Sequence, residues 1–435
     1  MKPPPTILRV HAAAAADHHR EWPHPVTAVL ELTESVGFAP VRARSARLIT
    51  LAHRDLLPPQ PAEHETDLDL TKDHPGAVLI PGLVNAHAHL DLTHIGPKPH
   101  DPAAGFIAWG KTIRDARTGD DAEIAASVCA GVDKSIAGGT VALADIDGSQ
   151  GRATPHRAGL PGTSYIEHFG FTPAPADLPD LPESADTVAV GLSPHAPYSV
   201  SIPTFEAAVR TGLPLCTHLA ESPEEREFIL RARGPMRTFL ESIGKWNPAA
   251  AEHLEQGKPP LTWFEPLLTS APGRWLLAHV NDCPEGAIDL LRRTGAHVAY
   301  CPRASEYFAN EHHFGAHRYR DMLDAGVNVC LGTDSIVNLD TPNRISVLDE
   351  MRRLFARDRT APDRLFEMAT VNGARALRLD PAGFRFTLGA PLAGLVAVPG
   401  NAEKAGDPQT PPREAVLIGT AAPIPVLLGG PNRPD

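Results

Sequence analysis

The sequence predicts an α/β protein: a (β/α)8 barrel over residues 80–381, with a small β-sandwich built from both chain ends, 1–79 and 382–435. Three observations lead there. Short apolar runs at 77–84, 140–146, 163–171, 188–194, 213–219, 275–280, 297–301 and 327–333 alternate with helical patterns, as buried parallel strands do. The two ends instead carry short strand-like runs between turns. Polar residues gather just after the middle runs, and the C-terminal ends of its strands are where such a barrel carries its site.

Along the chain, Thr6-Ile7-Leu8-Arg9-Val10, Val26 to Leu32 and Ala46 to Leu51 read as sandwich strands separated by proline- and histidine-rich turns. The run Ala77 to Val84 reads as the first barrel strand. Helical patterns follow at Ala122 to Ala137, Pro203 to Thr211, Pro223 to Leu240, Gly286 to Thr294 and Tyr319 to Ala325. Residues 172–186 form a Pro/Asp-rich loop. Segment 235–274, with Pro248, Pro259 and Pro260, is long for one connection and is expected over part of the barrel mouth. Leu395 to Val398 and Glu414 to Ile418 read as returning sandwich strands.

Composition narrows the function. The chain has 435 residues, 42% hydrophobic and 21% charged, as folded proteins do. The net charge is −12 and no dense Lys/Arg cluster occurs, which argues against nucleic acid as a partner. No apolar run approaches the ~20 residues of a membrane span. Met1 to Asp17 lacks the basic start and apolar core of a secretory leader, so a cytoplasmic protein is expected. The five cysteines are scattered without a Cys-x-x-Cys, which fits a reducing compartment. Cys216 and Cys301 lie in the site strands but read as small buried apolar residues.

The most informative motif is His87-Ala88-His89. Residues two apart on a strand share a face, so two imidazoles there can grip one metal ion. With 21 histidines such a pair also arises by chance. Its weight comes from His218, His279 and Asp334, each at the end of its own apolar run. Glu167 stands on the third run, His195 follows the fourth within Ser193-Pro194-His195-Ala196-Pro197-Tyr198-Ser199, and Arg303 follows the seventh.

From Pro81-Gly82-Leu83-Val84-Asn85-Ala86-His87-Ala88-His89 to Gly332-Thr333-Asp334-Ser335, the chain resembles the amidohydrolase superfamily, in its branch of aminohydrolases acting on purines, pyrimidines and triazines. The resemblance implies that His87, His89, His218 and Asp334 hold one divalent metal and that Glu221 is the catalytic acid/base. The chemistry agrees. Three neutral imidazoles and a carboxylate suit zinc, with ferrous iron the alternative. Such an ion brings the pKa of a coordinated water toward ~7. Glu221, three residues after His218, can move the proton. Asp334 would accept a hydrogen bond from the water, His279 would hold that water or the tetrahedral intermediate, and His195, Glu167, Arg303 and Trp109 would contact substrate.

Each residue also has a plainer reading. The histidine pair can make ordinary hydrogen bonds at a strand end. Ser222-Pro223-Glu224-Glu225 looks like a helix start, with an N-cap and Pro at the first helical position, which coexists with a site role for Glu221. Asp334 can cap the following turn, and His279 can be a satisfied core histidine. Glu167 can be a buried structural carboxylate, Arg303 can neutralise a neighbour, and Trp109 can be a core aromatic at a helix start rather than a surface for stacking a ring. His312, His313 and His317 are expected to face solvent or line the mouth.

No lysine occurs between Lys134 and Lys245, so the carboxylated-lysine bridge of many two-metal amidohydrolases cannot form from a middle strand. Only Glu167 remains as a bridge. This favours one metal, and deamination over cyclic-amide hydrolysis. The implied activity is hydrolytic deamination of an aminated heterocycle, with release of ammonia. The substrate class is a purine nucleoside derivative of the adenosine, methylthioadenosine, adenosylhomocysteine or aminofutalosine type. Ser193 to Ser199 and Cys301-Pro302-Arg303-Ala304-Ser305-Glu306-Tyr307-Phe308 carry the likeness to the aminofutalosine group. One departure is Gly389-Ala390-Pro391-Leu392-Ala393-Gly394, where such relatives often have Gly-Lys-x-Ala-Asp. Two rivals stand beside this: hydrolytic removal of chloride or an alkylamine from a triazine-like ring, and a ligand-binding barrel without turnover. The presence of His87, His89, His218, Glu221, His279 and Asp334 together argues against the second. A homodimer is the usual assembly of such enzymes.

Overall fold

A computed structural model of the protein describes residues 6–35, 40–57, 65–157, 160–182, 187–400 and 410–429. Parts of the expected terminal sandwich (1–5, 36–39, 58–64, 401–409 and 430–435) and of the expected loop (183–186) lie outside them. Among the described residues, no helix is long and apolar enough to cross a membrane.

The largest sheet is the barrel. Its strands are Leu83–His89, Thr140–Asp147, Gly162–His168, Val188–Pro194, Leu215–Leu219, Trp275–His279 and His297–Tyr300, followed by an eighth in two pieces, Val329–Leu331 and Asp334–Ser335. Sheet order follows chain order, and the two pieces of the eighth strand occupy opposite edges. Val329–Leu331 pairs in parallel with His297–Tyr300, while Asp334 and Ser335 pair in parallel with Ala88 and His89. One short stretch of chain thus closes the sheet on itself. These strands are buried along almost their whole length, which is why they read as continuous apolar runs rather than alternating ones.

The break in the eighth strand falls at Gly332 and Thr333. Gly332 N–H donates to the Tyr300 carbonyl at 2.9 Å and Thr333 N–H to the His87 carbonyl at 3.0 Å, so the break stitches the first and seventh strands together. Gly332 leaves no room for a side chain: a Cβ there would lie 2.7 Å from His87 Cβ and 2.9 Å from Cys301 Sγ.

The described residues fall into two compact units. One takes them from 1–85, 133–143 and 343–435; the other from 86–132 and 144–342. In the first, the N-terminal end alone builds one sheet and both chain ends build another. A four-stranded sheet has the order Ser45–His53, Val26–Thr33, Thr6–Ala12, Glu65–Asp69. A six-stranded one has the order Glu21–Trp22, Ala14–Ala16, Val78–Pro81, Gly394–Val398, Ile424–Gly429, Val41–Ala43. A shared apolar core draws on both, with Leu8, Val10 and Leu30 from one and Leu79, Leu395 and Leu427 from the other.

Three segments differ from expectation. Residues 77–84 are not one barrel strand. Val78–Pro81 pairs with Gly394–Val398 of the six-stranded sheet, and the barrel strand starts only at Leu83. The chain divides at Gly82, where a Cβ would overlap the Val141 methyls. Glu414 to Ile418 is helix, not strand: Pro412–Ile418 begins with Pro in its first turn and Glu414 beside it, which are helix-start features, and a short apolar run fits either period. The pattern from Pro223 to Leu240 is two helices, Pro223–Arg231 and Pro235–Ser242, divided at Ala232, whose φ is +45°. Ala232 ends the first helix as a left-handed C-cap whose N–H donates to the Phe228 carbonyl, and Pro235 opens the second at its first position.

The close packing of Gly332 gives a stability prediction. Gly332→Ala is expected to destabilise the protein by about 1–3 kcal/mol through overpacking. A urea midpoint that falls with an unchanged m-value is the expected result; an unmoved midpoint would show that the barrel seam yields freely.

Candidate active site

The strand ends bring His87, His89, His218 and Asp334 together. His89 Nε2 lies 3.4 Å from Asp334 Oδ1, His87 Nε2 lies 3.7 Å from the same oxygen, and the Nε2 atoms of His218 and His89 are 3.3 Å apart. Four donors each ~2.1 Å from one ion in a tetrahedral arrangement stand about 3.4 Å from one another, so this spacing fits a single metal ion. His218 Nδ1–H donates to the His195 carbonyl at 2.9 Å, which leaves the Nε2 lone pair for the cluster. Burial pushes the pKa of His87 and His89 well below the ordinary histidine value and that of His218 down to about 4. The imidazoles are therefore neutral at pH 7, the form a metal requires. Burial also raises Asp334 to about 6, against the opposing hydrogen bond from Asn338 Nδ2 at 3.0 Å.

Among the described residues, the groupings of His, Cys, Asp and Glu able to hold an ion overlap through His87, His218 and Asp334, so they are one centre. A second ion on Glu167, His195 and His218 would need another nitrogen from His218, whose Nδ1 is committed to the His195 carbonyl.

Glu221 and His279 adjoin this cluster. His279 Nε2 lies 3.3 Å from Glu221 Oε1 and has no well-formed hydrogen bond. Burial first, then the negative charge of Asp334, pushes Glu221 well above the usual carboxylate range. The backbone that presents Glu221 is held by groups the sequence analysis did not single out for a site role. Glu225 accepts from Ala220 N at 2.9 Å and Glu221 N at 2.7 Å, and Asn281 Nδ2 donates to the Glu221 carbonyl at 3.0 Å. Ser222 Oγ caps the following helix by accepting from Glu225 N. This is a capping box whose glutamate reaches past the cap, so the Ser-x-x-Glu spacing was the available signal. The segment is a helix start that also sets Glu221 beside the cluster.

Ala220, His279, Val280 and Asp334 have φ of +57°, +74°, +54° and +59°, so two strands leave the sheet, and the second piece of the eighth enters it, through positive-φ backbone. Such residues persist at a cost of ~1–3 kcal/mol each where their surroundings over-determine them, and they concentrate at functional sites.

A cavity of about 650 Å³ is lined by His89, His218, Glu221 and Asp334, and also by Glu167, His195 and Trp109. Trp109 stands on the helix Phe106–Ala116, its ring edge-on to Phe308 at 4.9 Å. His195 Nδ1 is 2.7 Å from Ser199 Oγ, and its ring lies 4.7 Å from that of Phe169. Glu167 is buried, with Oε1 lacking a hydrogen bond and Oε2 3.9 Å from Arg117; burial, partly offset by Arg117, raises it to about 7. Met236, Phe239 and Ile243 supply apolar wall from the long segment expected over the mouth.

Two sequence expectations fall elsewhere. Arg303 is not brought to the cavity; it donates to Asp340 Oδ1 at 2.9 Å and Thr341 Oγ1 at 3.0 Å, as a neutralising arginine does. His312 and His313 are exposed, but His317 is buried and bonded to the His279 carbonyl. Arg117, which joins Asp91 and Glu167, had no local signal in the sequence.

Comparison with known proteins follows the same lines. A family model described as the amidohydrolase family matches residues 175–386. A 5-methylthioadenosine/S-adenosylhomocysteine deaminase of Haloarcula marismortui is 30% identical over 339 residues, 72% of each protein. An aminodeoxyfutalosine deaminase of Deinococcus radiodurans is 28% identical over 316 residues, 65% of this chain and 70% of its own. Among solved structures, a zinc-bound adenosine deaminase from Xanthomonas campestris superposes with a TM-score of 0.68 at 18% identity, covering 100% of this chain and 96% of its own. A zinc complex of atrazine chlorohydrolase from Arthrobacter aurescens gives 0.68 at 17%, covering 98% and 95%. At such identities these structures speak for the fold. The extended match to the Haloarcula protein goes further, and this chain belongs to the amidohydrolase family.

Proposed function

We propose that this protein is a metal-dependent hydrolytic deaminase of an aminated heterocycle, a purine nucleoside derivative of the adenosine, methylthioadenosine, adenosylhomocysteine or aminofutalosine type. The observation that carries the reading is a buried Glu221 carboxyl beside a compact three-imidazole, one-carboxylate cluster, with its Oε1 3.3 Å from His279 Nε2. Relatives named as deaminases of adenosine derivatives and of aminodeoxyfutalosine support the substrate class.

His87, His89, His218 and Asp334 are the residues we assign to a divalent ion, zinc by the donor set, with ferrous iron able to use the same donors. When bound, the ion would supply acidity, lowering the pKa of a nearby water toward ~7. The remaining work belongs to side chains. Glu221 takes the water proton and passes it to a ring nitrogen, which makes the neighbouring carbon electrophilic. Asp334 accepts a hydrogen bond from the attacking water and fixes its direction. The carbon–oxygen bond forms, the remaining hydroxyl proton of the former water passes by way of Glu221 to the amino group, and the carbon–nitrogen bond breaks to release ammonia and leave a carbonyl. His279 faces the same point and steadies the developing oxyanion. His195 and Trp109 border the ring. Glu167 Oε1, buried and without a hydrogen bond, is the acceptor we assign to substrate hydroxyls, a role that goes with a nucleoside rather than a free base. A cavity of about 650 Å³ also leaves space beyond a bare ring.

Ammonia release from a panel of amino-purines, their nucleosides and amino-pyrimidines tests the reading on zinc-supplied protein. Release from one nucleoside class is expected, and Glu221→Gln should keep its metal while kcat falls by about 10²- to 10⁴-fold. A fully active Glu221→Gln would remove Glu221 from the proton path. Silence across the panel with metal bound would move the reading to chloride displacement from a triazine-like ring, or to a barrel that only binds. His89→Ala is expected to lower zinc content, measured by elemental analysis, from about one ion per chain to a small fraction of that; full occupancy would refute its role as a ligand.

A further inference from the structure

His279 and Val280 are consecutive non-glycine residues in left-handed backbone, and Val280 is β-branched, the type least suited to that region. Besides a local bond from Val280 N–H to the Ala278 carbonyl at 3.2 Å, three longer-range hydrogen bonds hold this turn. Val280 N–H donates to the Leu219 carbonyl at 3.0 Å and Asp282 N–H to the Ala220 carbonyl at 2.9 Å, both on the neighbouring strand end. The third comes from far along the chain: His317 Nε2 lies 2.9 Å from the His279 carbonyl oxygen.

His317 is itself fully specified. Tyr319 N–H donates to its Nδ1 at 3.0 Å, so the ring proton sits on Nε2, the atom facing the carbonyl. Its ring stacks on Tyr300 at 3.8 Å, 13° from coplanar. Packing fixes the ring plane, and one donated and one accepted hydrogen bond fix its tautomer. Rotation of the His279 backbone would swing its Nε2 away from Glu221.

We propose that His317 is a positioning residue: its Nε2–H, donated to the His279 carbonyl, holds the strained turn that points the His279 imidazole at Glu221. The inference rests on His279 belonging to the proposed active site. It adds a determinant of kcat outside the cavity lining.

Two substitutions separate donation from packing. His317→Gln keeps an N–H donor near the position of Nε2 and loses the stack. His317→Phe keeps a ring against Tyr300 and loses the donor. With the deaminated substrate, His317→Phe is expected to lower kcat by about 10- to 100-fold with KM within about twofold and metal content unchanged. His317→Gln should retain most of kcat even where its melting temperature falls. In ¹⁵N-histidine spectra, which need neither substrate nor metal, the His279 ring signals should move in His317→Phe and stay near their wild-type positions in His317→Gln. The reverse ranking, equal losses in both variants, or unmoved His279 signals in His317→Phe would overturn the proposal. Should His317→Phe fail to fold, kcat and ring signals in His317→Gln decide alone, since loss of both there refutes donation. A wild-type protein inactive on every substrate would refute the deaminase reading and leave the ring signals to decide the role of His317.

Discussion

The constraint on which the site depends is the burial of His87, His89, His218, His279, Glu221 and Asp334 around one point. Removing ionised groups from water is costly unless they pair or become neutral. The imidazoles meet this by remaining neutral, and those of His87, His89 and His218 turn Nε2 toward a shared centre. The carboxylates are pushed upward instead, to about 6 for Asp334 and well above the usual range for Glu221. A cation at the centre is the one addition that makes ionised carboxylates favourable there, because it replaces lost hydration with direct charge. The closed barrel is what makes such a centre possible, since parallel strands from distant parts of the chain end side by side.

Closure alone does not aim the side chains. At strands five and six the chain turns away through positive-φ residues, and at strand eight it rejoins the sheet through one, at the points where Glu221, His279 and Asp334 stand. Each turn has a polar pin from outside the immediate cluster. Glu225 and Asn281 hold the Glu221 backbone, His317 holds the His279 carbonyl, and Asn338 holds the Asp334 carboxylate. Local strain is offset by hydrogen bonds made from the far side, which keeps the cavity face of each residue free for chemistry.

Legibility in the sequence follows how local each feature is. The His87/His89 pair was visible because a period of two is a property of one strand, and the buried strands were visible because burial on both faces makes an apolar run. Asp334 stood out by its place after the last such run. The split at Gly82 was hidden: whether residues 78–81 join the barrel or the terminal sheet depends on Val141 and Gly394, far away in sequence. Helix 412–418 is ambiguous in sequence because a short apolar stretch fits either period, and only its proline start marks it as helix. Arg303 and His317 exchanged significance for one reason. A charged or ring side chain is defined by its partner, and neither Asp340 for one nor the His279 carbonyl for the other can be read from neighbouring residues.

The cluster sets the kind of reaction, while the cavity walls from 106–117 and 236–245 set what enters. Nucleophilic attack by an activated water would serve an amino or a chloro leaving group alike. The departing atoms differ, because chloride leaves as a stable anion whereas an amine must gain a proton on departure. Burial favours the protonated form of the Glu221 carboxyl, and a neighbouring cation would draw it back toward ionisation. The two influences oppose each other, and a group held between them can accept a proton in one step and return it in the next. Return of the first proton to a ring nitrogen would serve either reaction, and only the amine needs a further proton as it departs. Glu221 is therefore better matched to expelling ammonia than to expelling chloride, although both reactions would share every other part of the site.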